Sequence, residues 1–289
     1  MRAVVFAYHD VGVNCLKALL TAGIQVDLVV THQDDPNENV WFGSVAKLCV
    51  EKNIPHITPN ANELVDLIPR LQTLAPDYIF SFYYRFMIPE QILKCAKIAA
   101  LNMHGSLLPK YRGRAPVNWA ILHGETKTGA TLHIMEAKPD AGDIVGQVAV
   151  SIGPDETATD VFGKVSQAAV SVIEKVLPSL ILGNIPRKPN ELQKGSYFGG
   201  RKPADGEIHW KQTAKQVHDL VRAVAPPYPG AFTHHDGKAM IVARTSLNGP
   251  FPGNLDLGVY GIQVVDNRVF GICGDHRAVE VLEWFPANK

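Results

Sequence analysis

Arg2-Ala3-Val4-Val5-Phe6-Ala7-Tyr8 is followed by a stripe of Cys15, Leu16, Leu19 and Leu20 that stops at Gly23, and then by Val26-Asp27-Leu28-Val29-Val30-Thr31. The two outer runs are short, apolar and rich in β-branched residues, the pattern of strands buried on both faces. Between them, apolar residues three and four apart form one helical face that glycine ends. Strand, helix and strand in thirty residues predict a right-handed βαβ unit with parallel strands. Working outward, residues 77–83 and 98–103 read as further strands. Val45, Leu48 and Cys49, and then Leu64, Leu67, Ile68 and Leu71, read as helical stripes. The expected fold is α/β: a doubly wound, mostly parallel, Rossmann-like sheet with helices on both faces.

Later strands are predicted near 129–135 and 144–150, and a long helix over 157–182. Thr157, Thr159 and Asp160 offer capping side chains ahead of the stripe Val161, Val165, Ala168 and Val172. After Gly183 the texture changes to Pro186, Pro189, Gly195, Gly199, Gly200 and Pro203, which reads as a linker. A smaller domain is expected from Asp205, with a helix over 213–223, a Pro/Gly turn at 226–230 and short strands ending near Leu282. The expected boundaries are 1–183, a linker at 184–204, and 205–289 as an OB-like β-barrel domain.

Composition bounds the class. With 289 residues, 46% hydrophobic and 19% charged, the chain matches an ordinary globular protein rather than a disordered or fibrous one. Lys plus Arg and Asp plus Glu both number 28, so the whole chain lacks the basic footprint of a nucleic-acid binder. The apolar stretch 170–182 is broken by Glu174, Lys175 and Pro178, short of the roughly 18 apolar residues of a membrane span. The first ten residues lack a secretory signal pattern. Cys15, Cys49, Cys95 and Cys273 are scattered without a CxxC pair, which points to a reducing, cytoplasmic setting and away from a zinc site. After the first strand comes His9-Asp10-Val11-Gly12 rather than GxGxxG, and no GxxxxGK[ST] loop occurs, which weighs against dehydrogenases and NTPases.

The predicted strand at 98–103 runs into Leu101-Asn102-Met103-His104-Gly105-Ser106-Leu107-Leu108-Pro109. Ligands of open α/β sheets bind beyond the carboxyl ends of strands. Asn102 and His104, two apart on an extended chain, project to the same side and can meet one ligand. The pair also fits a capped strand end with a structural histidine, and the residues alone leave both readings open. Ser106 lacks a nucleophile elbow and reads as a loop cap. The basic loop Lys110-Tyr111-Arg112-Gly113-Arg114 precedes a helix predicted at 116–123, an arrangement that suits an anion or simply a solvated loop. Lys138-Pro139-Asp140-Ala141-Gly142-Asp143 presents carboxylates on a turn, which turn chemistry alone also explains. His133 and the pair His234-His235 read as structural, and no HxH or HExxH spacing marks a metal site.

Together, Asn102-Met103-His104, Ser106-Leu107-Leu108-Pro109 and the distant Asp140 resemble the motifs of the N10-formyltetrahydrofolate-dependent formyltransferases. Asp205-Gly206-Glu207-Ile208-His209-Trp210, Arg222-Ala223-Val224 and the stretch to Pro229-Gly230-Ala231-Phe232 resemble the C-terminal domain of that family, so the likeness covers nearly the whole chain. The resemblance implies a one-carbon transferase with N10-formyltetrahydrofolate as co-substrate and no metal. It implies catalytic roles for Asn102, His104 and Asp140, with Asp140 raising the His104 pKa. It implies folate contacts at Phe86, Met87, Ile88, Arg114, Glu136, Ala137, Lys138, Pro139 and Asp140.

The nearest likeness, in residues 6–10, 80–85 and 104–119, is to the branch that formylates UDP-4-amino-4-deoxy-L-arabinose in the lipid A modification that confers polymyxin resistance. The implied partner is a small nucleotide-sugar acceptor rather than nucleic acid or membrane. That branch continues into a dinucleotide-dependent decarboxylase domain, which does not follow Lys289 in this sequence. The alternatives are methionyl-tRNA formylation and formyltetrahydrofolate hydrolysis. Eight Lys or Arg against nine Asp or Glu from Asp205 onward disfavour a phosphate-tracking RNA surface. The oligomeric state stays open.

Overall fold

In the computed structural model, which describes residues 1–34 and 40–287, the opening βαβ prediction is realised as β1 (Arg2–Ala7), α1 (His9–Thr21) and β2 (Gln25–Val30). Alternate β1 residues serve the two faces of the sheet. Val4 and Phe6 join Leu28, Val30, Ile79 and Ala100 in one core cluster, while a Cβ added at Gly12 of α1 would touch Ala7 on the other face. The chain continues through α2 (Val45–Glu51), capped by the Ser44 hydroxyl, and β3 (His56–Ile57).

The stripe from Leu64 to Leu71 is divided rather than one helix. A 3-10 turn over Ala61–Leu67, opened by an Asn60–Glu63 capping box, gives way to α3 (Ile68–Leu74). Pro69 sits in the first turn of α3, where its missing N–H breaks no helical bond. Then come β4 (Tyr78–Phe82), α4 (Glu90–Leu93), β5 (Ala99–His104) and the two-residue β6 (Arg112–Gly113). They are followed by α5 (Pro116–Leu122), β7 (Lys127–Ile134), β8 (Ile144–Ser151), α6 (Ala158–Ile181) and β9 (Tyr197–Phe198). At the start of α6 the Thr157 hydroxyl accepts the Asp160 N–H at 3.3 Å.

The chain divides into two units. The first holds Met1–Gly113, Thr128–Val150 and Gly163–Phe198. Its seven-stranded sheet has the order β3-β2-β1-β4-β5-β7-β8. The pairs from β3 to β5 are parallel, whereas β7 runs antiparallel to β5. That reversal lays the second half of β7 along β5, with Thr131 opposite His104 and His133 opposite Asn102.

The second unit holds Arg114–Lys127, Ser151–Phe162 and Gly199–Lys289. Helix α7 (Ala214–Val224) starts at a Thr213–Gln216 capping box. Buried Arg222 bonds Asp219 and reaches the carbonyls of Gly153 and Glu156, which ties the 151–156 stretch to α7. Strands β10 (Ala231–His235), β11 (Lys238–Ser246), β12 (Gly261–Val265), β13 (Arg268–Ile272) and β14 (Ala278–Pro286) form an antiparallel, barrel-like sheet in the order β10-β11-β14-β13-β12. Its two tightest hairpins turn on Asp236-Gly237 and Asp266-Asn267. All four of these residues have positive φ, as a two-residue turn matched to the strand twist requires.

Candidate active site

Strand β5 ends in the first unit with Asn102 and His104 on one side, and the antiparallel register sets His133 across from Asn102. Asp140 joins them from the turn after β7, with its backbone held at φ +51°. One carboxylate oxygen, Oδ2, accepts the Gly113 N–H at 2.8 Å. The other, Oδ1, lies 3.4 Å from Asn102 Nδ2, 3.5 Å from His104 Nδ1 and 3.4 Å from His133 Nε2. The three residues singled out from the sequence therefore converge, and His133 is a fourth member.

Hydrogen-bond chemistry assigns the protons. His104 Nε2 lies 2.7 Å from the Tyr111 carbonyl, which only accepts, so Nε2 carries the hydrogen and the neutral ring leaves Nδ1 as a lone pair facing Asp140. By the same argument His133 Nδ1 donates to the Ile134 carbonyl at 2.7 Å, leaving Nε2 to accept from Asn102 Nδ2 at 3.1 Å. His133 thus orients the Asn102 amide. The second amide hydrogen has only the long 3.4 Å contact to Asp140, so it is readily turned toward a stronger acceptor.

Burial pushes the His104 pKa down, and it outweighs the upward pull of the Asp140 charge and of the Tyr111 carbonyl. Asp140 raises the pKa as the sequence reading expects, but the net shift is downward, and the ring rests neutral. Burial acts on Asp140 in the opposite sense. Against it act His104 and His133 in their protonated forms and the Gly113 N–H, which together keep the carboxyl below its ordinary range.

The loop after β5 is fixed by buried hydroxyls. Ser106 Oγ donates to the Lys110 carbonyl at 2.7 Å, as a loop cap should. Thr131 Oγ1 donates to the Ser106 carbonyl at 2.6 Å and accepts from Leu108 N and from Gln147 Nε2. Arg112 follows in the same loop. It is only 8% exposed, its Nε and Nη1 hydrogens have no partner, and its guanidinium lies 6.0 Å over the Tyr197 ring. A buried cation without a carboxylate or carbonyl partner is costly unless something else supplies the negative charge.

The other residues named from the sequence are distributed as follows. Phe86 and Ile88, just past the carboxyl end of β4, pack on the same core cluster as Met135, while Met87 between them is 66% exposed. Glu136, Ala137 and Lys138 are exposed, and Pro139 is half-buried. Arg114 belongs to the second unit, where its side chain lies against Gly200. Among the described residues no group of three or more His, Cys, Asp or Glu is placed to hold a metal ion, and no helix is long and apolar enough to cross a membrane. His133 escaped the sequence reading because a histidine on a buried strand has the same signature whether it is structural or functional. The one signal available was its register opposite Asn102.

An amide, an imidazole and a carboxylate gathered at a strand end of an α/β sheet are the kinds of group that acid–base group transfer uses. The chain belongs to the formyl transferase family: residues 1–177 match its formyl transferase domain and residues 201–289 its C-terminal domain. Among solved structures it resembles WlaRD, a sugar 3N-formyl transferase determined with dTDP and 5-N-formyl-THF. That match has 20% identity and a TM-score of 0.74, and covers 100% of this chain and 98% of that one. It also resembles the N-formyltransferase from Helicobacter canadensis determined with folinic acid and dTDP-3-aminofucose, at 19% identity and a TM-score of 0.74, over 97% of this chain and 98% of the other. A 4-N formyltransferase from Francisella tularensis is 25% identical, with a TM-score of 0.68, over 84% of this chain and 96% of that one.

Proposed function

We propose that this enzyme transfers a formyl group from N10-formyltetrahydrofolate to the amine of a nucleotide-linked amino sugar, most specifically UDP-4-amino-4-deoxy-L-arabinose. The observation that carries the reading is the neutral His104, whose Nδ1 faces the same Asp140 carboxylate oxygen that the Asn102 amide contacts. The exposed Met87 and the open 136–139 segment suit a flat, partly apolar co-substrate. Formyltetrahydrofolate supplies an activated one-carbon group on a nitrogen that leaves once protonated. As the amine attacks, Asn102 donates an N–H to the oxyanion that forms. His104 Nδ1 accepts the amine proton, becoming an imidazolium bonded on one side to the Tyr111 carbonyl and on the other to Asp140. It then returns that proton to the departing nitrogen.

The anionic half of the acceptor finds its counterpart in Arg112, the buried guanidinium with free donors one residue before Gly113. A diphosphate accepts such a fork in bidentate fashion. The sugar-nucleotide class is further supported by the similar structures determined with dTDP and with dTDP-3-aminofucose. The choice of the 4-amino sugar rests on the likeness of residues 6–10, 80–85 and 104–119 to the formyltransferase domain of the polymyxin-resistance enzyme ArnA. We place the chemistry in a 1–183 domain followed by a linker and a 205–289 domain. We place the protein in the cytoplasm, in keeping with four free cysteines.

The test is an acceptor panel: formyltetrahydrofolate with UDP- and dTDP-linked 3- and 4-amino sugars, Met-tRNA, and water alone. The expected outcome is turnover of a nucleotide-linked 4-amino sugar, with Arg112→Ala raising the acceptor KM at least tenfold and leaving kcat nearly unchanged. Turnover of Met-tRNA alone, or hydrolysis indifferent to every amine, would replace this reading with one of its alternatives.

A further inference from the structure

We propose that Asn190, in the Pro/Gly-rich stretch after α6, is a positioning residue that holds the Asp140 carboxylate in place through the backbone of its turn. The proposal rests on the reading of Asp140 as a member of the catalytic group. Asn190 is 9% exposed, and both hydrogens of its amide are used on one turn: Nδ2 donates to the Asp140 carbonyl at 3.0 Å and to the Gly142 carbonyl at 3.2 Å. Among the described residues no backbone N–H takes up either carbonyl.

Asp140 has φ +51°, a left-handed conformation that Asp adopts at small cost but that leaves the turn's own carbonyls in need of partners. Asn190 supplies them. Its own backbone is anchored two residues earlier, where Lys188 and Ile144 exchange N–H···O bonds of 2.9 and 2.8 Å. Displacing a catalytic carboxylate by a fraction of an ångström is enough to slow a proton relay.

The same stretch returns to the other side of the site. The Ser196 hydroxyl accepts the Tyr111 N–H at 2.9 Å, the Ser196 carbonyl accepts the Arg112 N–H at 3.0 Å, and the Ser196 N–H reaches the Pro109 carbonyl at 3.3 Å. Tyr111 is the residue whose carbonyl receives the His104 hydrogen. Residues 188–198 therefore form a strap that fixes Asp140 through one end and the acceptor of His104 through the other. Composition marks this strap as a linker, whereas its hydrogen bonds make it part of the site.

The experiment uses the full chain with Asn190→Ala, the isosteric Asn190→Asp, Asp140→Asn, and the double variant Asn190→Ala/Asp140→Asn. Two readouts are taken: steady-state kinetics with formyltetrahydrofolate and the amino-sugar nucleotide turned over fastest, and the His104 titration by NMR. Asn190→Ala and Asn190→Asp are expected to lower kcat about tenfold, the scale of one or two lost hydrogen bonds, with both KM values within about twofold. In Asn190→Ala the His104 titration moves to lower pH as the carboxylate drifts away. On the Asp140→Asn background Asn190→Ala changes neither readout further, because the group it positions is gone.

An Asn190 effect that persists undiminished on that background, or an unmoved His104 titration in Asn190→Ala, would overturn the inference while leaving the role of Asp140 intact. Full activity of Asp140→Asn would remove the underlying reading and the inference with it. If Asn190→Ala fails to fold, Asn190→Asp keeps the side-chain shape and carries the kinetic comparison, alone and on the Asp140→Asn background.

Discussion

In the proposed mechanism His104 is the base, because its ring can be protonated while its two nitrogens face fixed acceptors, the Tyr111 carbonyl and Asp140. Its basic form is required for attack, so kcat/KM should fall as pH drops through the His104 pKa. Burial has moved that pKa below the usual 6.5, so the acidic limb of the profile is expected below 6.5. Asp140 pulls the pKa upward, so Asp140→Asn should move the limb lower still, along with a loss of turnover of about a hundredfold. A limb at or above 6.5, or one that rises in Asp140→Asn, would remove His104 from the role of base. That Asn102 and His104 share a side was legible in the sequence because they lie two residues apart on an extended chain, while the choice between a functional and a structural pair came from the family resemblance. Asp140, thirty-six residues on in an ordinary turn, was legible only through the family resemblance. His133 and Asn190 were not legible at all, since register and a cross-chain amide leave no periodic trace.

At the scale of elements, the pair β6–β9 shows where sequence patterns run out. Doubly buried strands of six residues announce themselves as short apolar runs and a helix of thirteen through a period of 3.6, and β1, α1 and β2 fall where those patterns put them. A two-residue strand has no period, yet β6–β9 fixes the loop that presents Gly113 to Asp140. Gly113 has φ +97°, and an added Cβ would run into the Phe198 carbonyl across that pair. Gly113→Ala is therefore expected to cost about 2 kcal/mol or more of stability, from left-handed backbone strain plus the displaced strand. It should also lower kcat, because the Gly113 N–H is withdrawn from Asp140. Thermal melts and kinetics of the variant check both. A variant that melts with the wild type would show that β6–β9 adapts freely and does not define the site. The divided helix at 61–74 teaches the related point that a continuous apolar stripe is compatible with a 3-10 turn when a capping box and Pro69 impose a new start.

For the molecule as a whole, three histidines held in low-dielectric surroundings set the response to acid. Burial is the largest influence on His9, His104 and His218 and lowers the pKa of each; for His9 the result is about 4. His9 accepts the Asp10 N–H on Nδ1 at 2.9 Å, which requires the neutral ring, and its stacking on Phe42 at 3.9 Å helps bury it. His218 is enclosed between Thr245 Oγ1 at 2.8 Å and the Pro154 carbonyl at 3.1 Å. A group whose folded pKa is depressed stabilises the fold above its unfolded pKa and loses that contribution as pH falls toward the folded value. All three therefore act in the same direction, with losses starting near pH 6.5 and, for His9, continuing to about 4. His9 alone accounts for about 2 kcal/mol between pH 7 and pH 5. Denaturant unfolding should accordingly show lower stability at pH 5 than at pH 7. His9→Asn keeps a side chain that tolerates the left-handed backbone at φ +64°, and it should flatten that dependence by about the same amount. The slope is the informative quantity, because any packing change from the substitution is common to both pH values. Equal slopes in the wild type and in His9→Asn would mean that His9 titrates alike in the folded and unfolded chains, and that its seat against Phe42 opens freely to water.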